Sequence, residues 1–118
     1  MKEPKLFEKA IDWAKKKGFS NIKANTEDYE TPVKFARDGE EDQPFIPDIT
    51  ATRLGSKNYV EIALKTDDTA RRVSKWKLLS TLAAMKSGKL FLLAPKGHKA
   101  FTVDLIKKHH INATVESI

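Results

Sequence analysis

Cysteine is missing from this 118-residue chain. Its absence excludes disulfides, thiolate metal sites and cysteine nucleophiles. Long apolar runs are missing too. The longest candidate, Leu90 to Pro95, is strand-sized, well short of the roughly 18–20 residues that a membrane helix needs. The first ten residues, MKEPKLFEKA, carry no apolar core of the secretory type, so a cytoplasmic location is the expectation. Signatures of several chemistries are also wanting. There is no GxxxxGKS/T phosphate loop, no GxGxxG, no GxSxG nucleophile elbow and no Cys/His metal spacing. No internal repeat or low-complexity linker divides the chain.

What is present suits a single globular domain over residues 1–118. Hydrophobic residues make up 40% of the chain, enough for a core, and charged residues 32%, enough for a densely charged surface. Lys and Arg number 22 against 16 Asp and Glu, a formal net charge of +6. A basic surface favours nucleic acid or another polyanion as partner. A merely solvated, lysine-rich surface is the plainer alternative.

Periodicity gives the elements. Leu6, Phe7, Ala10, Ile11 and Ala14 recur at helical spacing, so Pro4 to Lys17 reads as a helix stopped at Gly18. Ile22, Ala24 and Thr26 alternate with polar residues as in a short strand, and Tyr29 to Phe35 reads as extended again, with Pro32 marking an edge or bulge. Ala36 to Pro44 is a polar, acidic loop. Phe45 to Leu54 and Asn58 to Thr66 are strands joined by a Gly55-Ser56-Lys57 turn, an antiparallel hairpin. In the second of these, Val60, Ile62 and Leu64 face one way, and Tyr59, Glu61, Ala63 and Lys65 the other. Asp67 or Asp68 caps a helix running to about Ser87 and ended by Gly88. A buried strand over Lys89 to Ala94, a helix to about His110 and a strand over Ala113 to Ile118 complete the order. The fold class is α/β, with a central mixed sheet of about four to five strands flanked by helices in the order α-β-β-β-α-β-α-β. The strand-helix-strand unit from Tyr59 to Ala94 calls for a parallel crossover.

Pro47-Asp48 opens one strand of the hairpin, the next ends in Lys65, and a long helix follows. With the element order, these residues are similar to the core of the PD-(D/E)xK nuclease superfamily over roughly residues 4–95. The resemblance implies a restriction-endonuclease-like fold. It also implies a metal, Mg²⁺, held by the first Asp and the acid of the next strand, with the lysine assisting. That chemistry is coherent. Phosphodiester hydrolysis needs a metal to activate water, Mg²⁺ takes oxygen ligands, and a lysine stabilises charge. The residues so implied are Asp48 and Glu61 as metal ligands and Lys65 as catalytic partner. Arg71, Arg72, Lys75 and Lys77 form a basic patch opening the long helix, suited to phosphates.

A turn centred on Ser56-Lys57 sets a register in which Asp48 falls opposite Lys65 and Thr52 opposite Glu61. The acid two residues before Lys65 is then replaced by Ala63. Glu61 lies about 13 Å from Lys65 at ~3.3 Å per residue. A shifted register reads Glu61-Ile62-Ala63 as the motif instead, keeping the acid and losing the lysine. Glu8 and Asp67 are the other acids within reach.

Each of these residues also has a plain structural role open to it. Asp48 can simply start a strand, Lys65 can be a strand-end salt-bridge partner and Glu61 a cross-strand residue. Trp76 reads as core, and His98 as a loop or cap residue. His109-His110 lacks the i, i+4 spacing of paired helical ligands. The expected function is therefore a nucleic-acid-binding or assembly module with a degenerate nuclease site. The alternatives are an active Mg²⁺-dependent nuclease on DNA or RNA, and a small self-associating domain that forms a homodimer through an edge strand near the C-terminus.

Overall fold

A computed structural model describes residues 2–36, 39 and 43–118. The acidic stretch read between Ala36 and Pro44 lies mostly outside the described residues. Helix α1 (Pro4–Lys16) is followed by strands β1 (Ser20–Ala24), β2 (Ile49–Arg53) and β3 (Ser56–Ile62). Helix α2 (Thr69–Met85), strand β4 (Leu90–Ala94), helix α3 (Lys99–Lys108) and strand β5 (Thr114–Ser117) complete the order. Among the described residues the chain is thus α/β, with a five-stranded mixed sheet and three helices. Strand order is β1-β2-β3-β4-β5. The β1–β2 and β2–β3 pairs are antiparallel, and the β3–β4 and β4–β5 pairs parallel. No helix among the described residues is long and apolar enough to cross a membrane.

The apolar stripes decide which face each helix covers. Phe7, Ala10, Ile11 and Ala14 of α1 pack on Ile49, Ala51, Val60, Ile62 and Leu93. Val73, Trp76, Leu79 and Ala83 of α2 pack on Tyr59, Ala63 and Leu92 from the other side, where Leu105 of α3 joins them. Strand β3 is therefore buried on both faces, as its alternation predicts. Trp76 is a core residue with no exposure. Asp68 caps α2, its side chain accepting from the Arg71 N–H. Gly88 must be glycine, since a Cβ there would stand 1.7 Å from the Lys57 carbonyl oxygen.

Two expectations need correction. Strand β1 stops at Ala24, and Tyr29 to Phe35 forms no strand. The Ala24 N–H turns aside to the Glu30 carbonyl, the Asn25 N–H to the Asp48 carbonyl, and Phe35 makes only an isolated bridge with Phe45. The second correction concerns the hairpin. Its turn is Leu54-Gly55, not the segment centred on Ser56-Lys57, because Arg53 pairs with Ser56. Leu54 has φ +52° and Gly55 φ +81°, the two positive values of a type I′ turn, whose twist matches that of the flanking strands. Leu54 adopts them at the tip, 98% exposed.

Candidate active site

The turn at Leu54-Gly55 moves the register by four residues. Ile49 pairs with Val60, so the next pair outward is Asp48 with Glu61. The expectation that Asp48 faces Lys65 and that Thr52 faces Glu61 is overturned; Thr52 pairs with Lys57. Here the hairpin ladder gives way to side chains. The Asp48 N–H donates to Glu61 Oε2 at 2.7 Å, and the Ile62 N–H donates to Asp48 Oδ2 at 2.8 Å. The Asp48 carbonyl takes the Asn25 N–H at 2.8 Å. Each carboxylate is thus fixed by the backbone of the opposite strand.

Both acids are buried, Asp48 at 5% and Glu61 at 0% exposure. An ionised carboxylate persists in such a place only when paired. Lysines approach from the two helical layers. Lys2, just before α1, pairs with Asp48 Oδ2. Lys75 of α2 stands 3.0 Å from Glu61 Oε1. This second contact is an ion pair without hydrogen-bond geometry, so Glu61 Oε1 stays buried with no hydrogen-bond donor among the described residues.

Lys2, Asp48 and Lys75 border a pocket of about 430 Å³, with Glu61 buried behind them. Lys2, Lys65, Arg71, Arg72 and Lys75 line it against the acids Asp48 and Asp68, so its wall is basic and suited to an anion. Arg71 is braced by the Pro44 carbonyl at 3.2 Å and lies 4.5 Å over the Phe45 ring. Arg72 lies 5.6 Å over the Trp76 ring, and its Nη1 is buried with no hydrogen-bond partner among the described residues.

The residues singled out in the sequence divide. Asp48, Lys65, Arg71, Arg72 and Lys75 share this pocket, with Glu61 behind Asp48 and Lys75. Lys77 is exposed and does not line it. Glu8 is exposed away from it, and Asp67 is also outside. Lys65 lies beyond the end of β3, its N–H held by His98 Nδ1 at 2.9 Å. His98 is the N-cap of α3, as its loop or cap reading expects. Lys2 was not legible, because a residue ahead of a helix takes no part in its periodicity. Lys75 stood in the basic patch, but nothing in the spacing linked it to Glu61.

Two facing carboxylates are a hard-oxygen donor set, of the kind from which Mg²⁺ takes one or two ligands while keeping several waters. Glu61 Oε1 and the pocket-lining Asp48 are oxygens of that kind, though each already faces a lysine. Among the described residues, no group of three or more His, Cys, Asp or Glu side chains gathers for a metal. No protein-family model, no curated protein and no solved structure matches the chain.

Proposed function

We propose that this chain is a restriction-endonuclease-like domain of the PD-(D/E)xK type that binds the phosphodiester backbone of nucleic acid and hydrolyses it with Mg²⁺. The observation that carries the reading is the pairing of Asp48 with Glu61 across the hairpin, with Asp48 in the wall of a basic pocket. Asp48 and Glu61 would hold the ion, which when bound activates water and stabilises charge on the phosphate. Ala63 stands where the motif has its lysine. Lys75 offers a substitute ammonium from α2, 3.0 Å from Glu61, and Arg71 and Arg72 orient the phosphate.

One observation favours a second reading, nucleic-acid binding without hydrolysis. Asp48 and Glu61 each already carry a lysine, which neutralises the acids without a metal.

A nuclease assay separates the two. Single-stranded and duplex substrates are incubated with Mg²⁺ or Mn²⁺, with Asp48→Asn as control. Metal-dependent cleavage lost in Asp48→Asn supports hydrolysis. Binding without cleavage supports the second reading, and absence of both removes nucleic acid from the account.

A further inference from the structure

A second pocket adjoins the basic one. It measures about 470 Å³ and is lined by Lys2, Glu3, Leu6, Leu64, Pro95 and His98. Lys2 and Leu64 line both pockets, so the two share a wall. Their characters differ. The first is walled mostly by cations, the second by Leu6, Leu64 and Pro95 together with Lys2, Glu3 and one imidazole.

That imidazole is held in a definite state. Its Nδ1 accepts the Lys65 N–H at 2.9 Å, and the His98 carbonyl accepts the Thr102 hydroxyl, also at 2.9 Å. A ring nitrogen that accepts carries no proton, so the neutral ring's hydrogen is on Nε2. His98 therefore contributes a neutral donor to a wall whose other polar members are Lys2 and Glu3. Lys65 lines the first pocket, so this hydrogen bond also ties the two pockets together.

A bare phosphate would use the first pocket alone. A nucleotide joins an anion to a flat ring with acceptors on its edge, and it would use both. Resting on the phosphodiester reading above, we infer that the second pocket is a base subsite. It receives the nucleoside attached to the phosphate bound beside Arg72. Leu6, Leu64 and Pro95 lie against the ring, and His98 Nε2–H donates to its edge. Both pockets fall within the roughly 300–1,000 Å³ of small-molecule sites. A base reaches such a pocket only when unstacked and unpaired, so the substrate class is single-stranded nucleic acid or a strand displaced from its duplex.

NMR titration of the full chain, with labelled backbone amides, leucine methyls and histidine rings, tests this. The probes are inorganic phosphate, deoxythymidine 5′-monophosphate and a short single-stranded oligonucleotide. Phosphate should move amide signals around Arg71 to Lys75 and the shared-wall Leu64, and leave Leu6 and the His98 ring unmoved. The nucleotide and oligonucleotide should also move the Leu6 methyls and the His98 ring. His98→Asn retains an acceptor for the Lys65 N–H but loses the Nε2 donor. It should weaken the nucleotide roughly 3- to 10-fold more than it weakens phosphate, the range of one net hydrogen bond. If that variant does not fold, the methyl shifts of the unaltered chain decide. Nucleotide that moves the Arg72 region but leaves Leu6 and His98 unmoved overturns the base subsite and spares the phosphodiester reading. Silence toward all three probes overturns both.

Discussion

Asp48 and Glu61 stand opposite one another across the β2–β3 hairpin, and the Asp48 N–H donates to Glu61 Oε2 at 2.7 Å. Two like charges are brought together by the chain itself, and Lys2 and Lys75 compensate them from opposite layers of the fold. Stability and proposed chemistry consequently depend on the same four side chains.

Removing one charge should expose this dependence. Glu61→Ala leaves Lys75 beside a cavity with no counterion, and a loss of about 3 kcal/mol is expected for breaking a buried pair. Glu61→Gln still accepts the Asp48 N–H and should lose less. Urea midpoints at constant m-value measure both. Combining Glu61→Gln with Lys75→Gln should recover part of the loss as a coupling of roughly 0.5–3 kcal/mol.

Under the hydrolytic reading, Asp48→Asn abolishes Mg²⁺-dependent cleavage, and Lys75→Ala lowers it more than Lys65→Ala does. Lys75 contacts the carboxylate pair, whereas Lys65 is held by its backbone to His98. Initial rates on a labelled oligonucleotide rank the three, and a larger loss from Lys65→Ala would return the assisting role to the strand end.

Nucleic-acid binding should weaken with salt. Arg72 lines the basic pocket, so Arg72→Ala should reduce the log–log salt slope by about 1. Lys77, which lies outside the pocket, should contribute less. Fluorescence anisotropy across a salt series tests the comparison.

The hairpin turn offers a direct check of register. Leu54 adopts a left-handed conformation that costs a side chain roughly 1–2 kcal/mol. Asn-Gly is the favoured pair for such a turn. Leu54→Asn should therefore raise stability by about 1 kcal/mol, or about 4 °C in Tm for a chain of this size. Were the turn centred on Ser56-Lys57, the substitution would bring no such gain.

Tyr59 should govern part of the alkaline limb. Its hydroxyl is buried with no hydrogen-bond partner among the described residues, and burial pushes its pKa above the ordinary 10.0. The unfolded chain therefore releases this proton first, and the contribution to stability, full below about pH 10, falls as pH rises toward the folded value. Tyr59→Phe should flatten that fall and leave neutral-pH stability equal or higher. Thermal melts between pH 7 and 11 measure it.

The sequence by itself determined the element order, the two apolar faces of β3 and the core role of Trp76. Alternation and helical stripes are local properties, and burial simply follows them. It also placed Asp48, Arg71, Arg72 and Lys75 among the residues of interest. Hairpin register was a different matter. A four-residue shift is even, so it keeps every side chain on its own face, and alternation cannot tell the two registers apart. Only the tertiary structure chose between them. The Asn58 side chain takes the Lys89 N–H at 2.9 Å and the Lys57 carbonyl packs against Gly88, anchoring β3 to β4. The turn closes at Leu54-Gly55, and Glu61 rather than Lys65 then meets Asp48. Lys2 and Lys75 join them because their neighbours in space are distant in the chain.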